Sequence, residues 1–130
     1  MTPRIDVVGA LIRSGDEVLI AQRATGELAG KWEFPGGKVE DGETHEQGLM
    51  REIREELDAT IGVGSYVASV DFEVGSQQMC LHCYWADLIS GVPQASEHYR
   101  IEWVRVENLL GYDLAPADIP IAKEAMKHDR

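Results

Sequence analysis

The chain has 130 residues, 44% of them hydrophobic, which fits a single domain over residues 1–130 that buries about two-thirds of its unfolded surface. Acidic residues outnumber basic ones by 23 to 12. The resulting net charge of −11 argues against a nucleic-acid polymer as partner, because no basic stripe is available to displace counterions from its phosphates. Residues 1–4 lack a signal-peptide pattern, and no apolar run approaches the roughly 18 residues that span a bilayer. We therefore expect no membrane partner and a cytoplasmic location.

The N-terminal part of the chain reads as two strands joined by a turn, followed by a shorter strand. Apolar-rich segments at residues 5–12 and 18–22 flank the turn sequence Ser-Gly-Asp at residues 14–16. Trp32-Glu33-Phe34 reads as the short strand, which Pro35-Gly36-Gly37 breaks. Adjacent glycines let the backbone approach a ligand closely and direct a carbonyl toward it.

A helix with a well-specified start comes next. Thr44 is a suitable N-cap residue, and Gln47 completes a capping box. At 100° per residue, three glutamates fall within one arc of about 100° and present oxygen ligands together: Glu52, Glu55 and Glu56. Another side carries an apolar stripe that anchors the helix to a core: Leu49, Met50, Ile53 and Leu57.

Three carboxylates at this spacing predict a bound cation. Like charges at i,i+3 and i,i+4 destabilise an isolated helix by about a few tenths of a kcal/mol per pair, and carboxylate oxygens are ligands of hard cations. Acid-rich helix faces are usually solvated surface, but the preceding Pro-Gly-Gly and the full spacing favour a site here. An EF-hand is excluded, because no loop alternates Asp or Asn ligands around a central glycine.

The rest of the chain predicts further strands and a terminal helix, and so an α/β fold with a mixed sheet between helices. The strands lie at residues 66–74 and 78–88, joined at Gly75-Ser76, and at 99–104; a helical turn at 106–110 and a helix at 119–128 follow. Cys80 and Cys83 lie three apart in one strand and so point to opposite faces. We therefore expect buried structural thiols that neither bridge nor share a metal. The histidines show no metal-ligand spacing among themselves: His45, His82, His98 and His128.

Residues 37–59 resemble the Nudix box, Gly-x5-Glu-x7-Arg-Glu-U-x-Glu-Glu-x-Gly-U, in which U is a bulky aliphatic residue. Its fixed positions are filled by Gly37, Glu43, Arg51, Glu52, Ile53, Glu55 and Glu56. The last two positions depart from the pattern, with Asp58 in place of glycine and Ala59 in place of an aliphatic residue. The family glycine is a left-handed helix cap. Asp tolerates that conformation, so we expect a cost in stability of about 1 kcal/mol or less and no effect on the chemistry.

The similarity extends over nearly the whole chain. WEFPGGK at residues 32–38, Tyr-Val-Ala-Ser at 66–69 and LAPADIP at 114–120 resemble MutT-type Nudix hydrolases, most of all their CTP pyrophosphohydrolase branch. The resemblance implies a Nudix α/β/α sandwich and cleavage of a nucleoside triphosphate to the monophosphate and pyrophosphate with Mg²⁺ or Mn²⁺. It also implies a small-molecule nucleotide as partner and a monomer or homodimer.

The resemblance assigns the metal-binding and catalytic positions residue by residue. Glu52, Glu55, Glu56 and the Gly36 carbonyl match them, with Glu52 or a neighbour deprotonating water. Glu97 matches a further acidic metal ligand that the MutT group supplies from outside the box.

Other positions match the substrate-binding and supporting residues of the family. Arg23 and Lys38 match positive positions near the phosphates. Phe34 and Asp118 match positions that line the base pocket, although Asp118 in Pro-Ala-Asp-Ile-Pro also suits a helix N-cap. We expect the remaining charged box residues, Glu43 and Arg51, to hold the loop and the helix in register.

The preferred base stays open at this point. CTP or dCTP, including modified pyrimidine nucleotides, is favoured, and the alternative is a sanitising enzyme for 8-oxo-dGTP or 2-hydroxy-dATP. Asp118 does not decide between them, because a carboxylate accepts from cytosine N4, adenine N6, or guanine N1 and N2. A Nudix-fold sensor that binds nucleotide without turnover is disfavoured, because such modules often lose box glutamates and this chain keeps all of them.

Overall fold

A computed structural model of the chain describes residues 3–128 and shows a seven-stranded mixed sheet between helices. The strands are β1 (Ile5–Ser14), β2 (Glu17–Gln22), β3 (Trp32–Glu33), β4 (Gly36–Lys38), β5 (Thr60–Val74), β6 (Gln77–Ser90) and β7 (Arg100–Arg105). The helices are α1 (His45–Leu57) and α2 (Asp118–Lys127), and a 3-10 helix covers Val106–Gly111. Within residues 3–128, no helix has both the length and the apolarity of a membrane span.

Strand β1 lies at the centre of the sheet and organises its topology. It runs parallel to β6 on one edge, and β5 pairs antiparallel with β6 beyond it. On the other edge, β2 pairs with β1 only at Arg13 and Ser14, and β4 occupies the same edge at Val7, Val8 and Gly9. Strand β2 also pairs with β3 and β7. The short β4 is therefore held against the middle of the sheet, directly before α1.

Both faces of the sheet are covered. Val8, Ala10 and Ile12 of β1 pack with α1 on one face. Leu11 of β1 packs on the other face with the side chains that α2 contributes. Because successive residues of a strand alternate between faces, burial on both sides explains the nearly continuous apolar run of β1. The expected α/β/α sandwich is confirmed.

The two ends of α1 are formed as the sequence predicts. Thr44 Oγ1 accepts from the Gln47 backbone N–H at 3.1 Å, and the Gln47 side chain accepts from the Thr44 N–H at 2.9 Å, which completes the capping box. At the other end, Asp58 adopts the left-handed conformation with φ 54° and ψ 43°, and its N–H donates to Arg54 O at 3.1 Å. Asp58 therefore takes the role of the family glycine.

The expected break after the short strand is present, because β3 ends at Glu33, although Gly36 and Gly37 then begin β4. Strand β1 leaves room beside Gly36 only for a residue without a side chain. Two other expectations for local structure are wrong. Strand β5 begins at Thr60 rather than residue 66, and its early part is irregular, with register shifts as far as Ala68. Met50 is 37% exposed and lies outside the buried stripe of α1.

The prediction that both cysteines are buried and do not bridge is confirmed. Cys80 and Cys83 are both buried and free. Cys83 packs in the core on the α2 side of the sheet, whereas Cys80 lies on the opposite face. The two sulfur atoms therefore belong to different environments despite their close spacing in the sequence.

Candidate active site

The three glutamates of α1 differ in burial. The side chain of Glu55 is 56% exposed, that of Glu52 18% and that of Glu56 11%. Helical geometry explains the gradient, because Glu56 lies only about 20° around the helix from the fully buried Leu49, Glu52 about 60° and Glu55 about 120°. The arc therefore runs from a carboxylate at the edge of the core to one in solvent.

Arg51 ties the loop before α1 to the helix. Its Nε and Nη2 donate to both carboxylate oxygens of Glu43, at 2.7 and 3.1 Å, and Nη2 also donates to Lys38 O at 3.0 Å. Its Nη1 donates to Glu52 at 3.1 Å and to Glu55 at 3.3 Å. The hydrogen bond from Arg51 holds the pKa of Glu43 below its ordinary value. The expected contact that keeps loop and helix in register is present.

The two glycines of β4 make close contacts that a side chain would prevent. Gly36 contacts the backbone of β1, and Gly37 contacts the carboxylate of Glu52. A Cβ on Gly36 would lie 1.8 Å from Val8 O, so only glycine fits there. A Cβ on Gly37 would lie 2.2 Å from Glu52 Oε2 and 2.4 Å from its carboxyl carbon. The Glu52 carboxylate therefore rests on bare backbone.

Glu56 belongs to a buried cluster that the sequence does not reveal. His98 Nε2 lies 2.9 Å from Glu33 Oε2 and 3.7 Å from Glu56 Oε1, and the His98 side chain is only 5% exposed. Arg23 Nη1 donates to the other oxygen of Glu33 at 2.8 Å. Burial raises the pKa of Glu56 to about 9, and the negative charges of Glu52, Glu33 and other carboxylates add to the effect.

The donor atoms of this region fit a divalent cation. Glu56 Oε2 is buried and has no hydrogen-bond partner within residues 3–128. Burial raises the pKa of Glu52 as well, and the exposed Glu97 is close enough for its charge to raise the pKa of both Glu52 and Glu56. One ligand atom each from Glu33, Glu56 and His98 lie within 4.8 Å of one another. An unpaired buried carboxylate surrounded by like charges is stabilised when a cation neutralises it.

A cleft of about 700 Å³ connects the acidic cluster to the opposite side of the sheet. Glu56 and Glu33 lie in its wall together with Gly36 and Lys38 of β4. Arg23 lines it from the segment after β2. The remaining walls are largely apolar, with Val7, Phe34, Phe72, Met79, Leu81, Ala115 and Ala117.

Asp118 lies in the same cleft and is not a helix cap. It is the first residue of α2, whose N-cap is Ala117 without a side-chain hydrogen bond. Its Oδ1 accepts from the Phe34 backbone N–H at 3.1 Å, and the residue is 6% exposed. Burial raises the pKa of Asp118 to about 8, against the opposing effect of that hydrogen bond.

Of the residues proposed from the sequence, the cleft wall includes Arg23, Phe34, Gly36, Lys38, Glu56 and Asp118. Glu52 and Glu55 lie on α1 close to Glu56. The charge of Glu97 raises the pKa of both Glu52 and Glu56. Sequence reasoning missed Glu33 and His98. For Glu33 a signal exists, because Trp32 and Phe34 on either side of it are core residues and a strand turns the residue between them to the other face.

The model of the NUDIX domain matches residues 3–127. The chain belongs to the NUDIX family. It is 46% identical to the CTP pyrophosphohydrolase of Escherichia coli (strain K12) over 123 residues, which are 94% of this chain and 91% of the relative. It is 33% identical to the 8-oxo-dGTP diphosphatase of the same organism over 115 residues, 88% of this chain and 89% of the relative.

Two solved structures share the fold of this chain. The solution structure of the E. coli ORF135 protein superposes with a TM-score of 0.87 at 43% identity and covers 97% of this chain and 91% of that one. The MutT NUDIX hydrolase from Burkholderia pseudomallei gives a TM-score of 0.84 at 27% identity, over 94% of this chain and 98% of that one. The protein is thus a Nudix hydrolase, a family that uses a divalent metal, and its box helix contributes Glu56 to the acidic cluster.

Proposed function

We propose that this Nudix hydrolase is a Mg²⁺-dependent nucleoside triphosphate pyrophosphohydrolase that converts NTP and water to NMP and pyrophosphate. We propose CTP, dCTP and modified pyrimidine nucleotides as its substrates, free in the cytoplasm rather than in a nucleic-acid polymer. The observation that carries the proposal is that one cleft is lined by both Glu56 and Asp118. Such a cleft accommodates a triphosphate and its base together.

The acidic end is the proposed site of the metal and of water activation. Mg²⁺ prefers carboxylate, carbonyl and water ligands, and Mn²⁺ can substitute for it. The proposed protein ligands are the carboxylates of Glu52, Glu55, Glu56 and Glu97 and the carbonyl of Gly36. A bound cation would neutralise the non-bridging phosphate oxygens during attack by water. One of the box glutamates serves as the base, and Arg51 fixes the orientation of Glu52 and Glu55 by its hydrogen bonds.

Arg23 and Lys38 are the proposed phosphate-binding residues. Both line the cleft that also contains Glu56 and Asp118. Glu33 holds the guanidinium of Arg23 through Nη1 at 2.8 Å, whereas Arg23 Nε is buried without a partner within residues 3–128. A phosphate oxygen would satisfy that donor, because a buried N–H without a partner is costly.

The base pocket is proposed at Asp118 and Phe34. The Phe34 N–H donates to Oδ1 of Asp118, and the second carboxylate oxygen, Oδ2, is the proposed acceptor for the base. In its ionised form this oxygen accepts from an exocyclic amino group such as cytosine N4, and the Phe34 ring supplies an apolar wall. The identity of 46% with a CTP pyrophosphohydrolase supports a cytosine base.

A second candidate is the hydrolysis of oxidised purine nucleotides such as 8-oxo-dGTP or 2-hydroxy-dATP. Several relatives support it, including the E. coli 8-oxo-dGTP diphosphatase at 33% identity. Asp118 is compatible with it, since guanine and adenine also carry exocyclic amino groups.

One screen tests both candidates. Pyrophosphate release is measured with Mg²⁺ for CTP, dCTP, UTP, 8-oxo-dGTP and 2-hydroxy-dATP, and the best substrate is then hydrolysed in ¹⁸O water. We expect the highest kcat/KM for CTP or dCTP, and monophosphate and pyrophosphate as first products. A preference for an oxidised purine would replace the first candidate by the second. Diphosphate and orthophosphate as initial products, or no turnover of any nucleotide, would reject the reaction itself.

A further inference from the structure

Three side chains that the cleft does not use meet on the other face of the sheet. Asp6 of β1 pairs with Cys80 of β6 in the parallel register, and His82 follows two residues later on the same face. Asp6 Oδ1 lies 2.9 Å from His82 Nε2, and one ligand atom from each of the three residues lies within 4.8 Å of the others. Their neighbours Met79 and Leu81 point the opposite way and line the cleft. None of the three residues belongs to the cluster of Glu33, Glu56 and His98, and none of them lines the cleft.

We propose that Asp6, Cys80 and His82 form a binding site for Zn²⁺ or a chemically similar transition-metal ion, independent of the catalytic metal. A thiolate, an imidazole and a carboxylate are the ligand types that Zn²⁺ takes, whereas Mg²⁺ takes oxygen ligands almost alone. The two cations are therefore selected by different parts of the fold.

The surroundings of the cluster suit such a site. Cys80 is 4% exposed and the His82 side chain 17%, whereas the Asp6 side chain is 46% exposed and opens one side to solvent. That open side provides an entry path and room for a water as fourth ligand. The ring of His45 packs against that of His82, with centroids 4.4 Å apart, and His45 Nδ1 lies 2.8 Å from the Tyr84 hydroxyl. The orientation of the His82 imidazole is thus fixed by packing.

An ion bound at this site would link the two central strands of the sheet. Asp6 lies on β1 and the other two ligands on β6, so an ion bound to all three joins the two strands of the parallel pair. Because the ligands are remote in the chain, the unfolded protein does not offer them together. Binding therefore stabilises the folded state, and the melting temperature rises with the concentration of Zn²⁺.

The test uses Co²⁺ as a spectroscopic substitute for Zn²⁺, added to the full chain in the presence of excess Mg²⁺. We expect a near-ultraviolet thiolate-to-cobalt charge-transfer band that Zn²⁺ abolishes. Cys80→Ser should remove the band, whereas Cys83→Ser should keep it, because Cys83 lies on the other face. Glu56→Gln should also keep it, which separates this site from the box. No band, a band that survives Cys80→Ser, or equal loss in Cys83→Ser overturns the proposal.

A second measurement does not depend on the thiol. His82→Gln should weaken Zn²⁺ binding by at least about tenfold in competition with a chromogenic chelator, as loss of even an outer-shell partner weakens metal sites by that factor. His128→Gln is the matched control, because His128 pairs with Glu124 on the surface of α2. Both variants should keep their pyrophosphate release with Mg²⁺, which shows that they are folded. Equal Zn²⁺ affinity in His82→Gln and His128→Gln overturns the site.

Discussion

Gly37→Ala should disable the site without unfolding the protein. The added methyl carbon would lie 2.2 Å from Glu52 Oε2 and 2.8 Å from Oε1, whereas ordinary contacts begin at 3.4 Å. The carboxylate must therefore retreat by more than about 1 Å, since the methyl group is fixed to the backbone. Because the obstacle is the end of a flexible side chain, Glu52 can rotate away and the strand can stay in place.

The expected magnitude follows from this displacement. A misplacement of about 1 Å in a catalytic constellation lowers the rate by roughly 100-fold, so kcat for the best nucleotide should fall by about that factor. Turnover is measured as pyrophosphate release at saturating Mg²⁺, and folding is checked by the melting temperature, which should change little.

Two other glycines serve as controls. Gly111→Ala should leave both kcat and melting temperature unchanged, because nothing lies within 4 Å of the added carbon. Gly36→Ala should instead lower the melting temperature strongly, since the added carbon meets Val8 O at 1.8 Å and Gly9 Cα at 2.8 Å, both of them backbone. If folded Gly37→Ala keeps more than about a third of wild-type kcat, the position of Glu52 does not control the rate and the reasoning fails.

Three more results are expected. Glu56→Gln should lower kcat by about a thousandfold or more, because it removes a buried charge from the proposed metal site. Glu46→Gln should be near neutral in the same assay, because Glu46 is exposed. If Glu56→Gln kept a tenth of the wild-type activity, its proposed role would be contradicted. Asp118→Ala should lower kcat/KM for CTP by about 10- to 150-fold and that for UTP, which lacks the amino group, hardly at all. Both are measured at about pH 9, where Asp118 is ionised. Equal losses for the two nucleotides would exclude Asp118 from base selection. The folded state keeps the Asp118 proton up to about pH 8 and the unfolded state loses it near 3.8, so Asp118 lowers stability as pH rises between these values. Asp118→Asn should remove up to about 1.4 kcal/mol per pH unit of that slope in chemical denaturation, and an unchanged slope would refute the assignment.

The box helix is the part of the protein that the sequence determines almost alone. Its start at Thr44, its end at Asp58 and the common face of its glutamates depend on hydrogen bonds and angles between residues at most four apart. Helical geometry is the same in any fold, so such spacing can be read without knowing what the helix packs against. A cation site could be predicted for the same reason, whereas the pyrophosphohydrolase reaction was implied by the resemblance to the Nudix box.

Only the tertiary structure determines which residues lie around the box glutamates and in the cleft. Glu33 and His98 are 65 residues apart, and Phe34 and Asp118 are 84 apart, yet each pair is in hydrogen-bond contact. The Asp6–His82 pair, 76 residues apart, has no signal in the spacing of the histidines. Strand register places Asp6 beside His82, whereas the other two contacts need the loop before β7 and the start of α2 to be docked on the sheet. All three therefore depend on the packing of the whole fold rather than on local preference. Burial of Glu56 likewise requires α1 to be docked on the sheet, because a carboxylate at the edge of an apolar stripe stays in water until a core covers it.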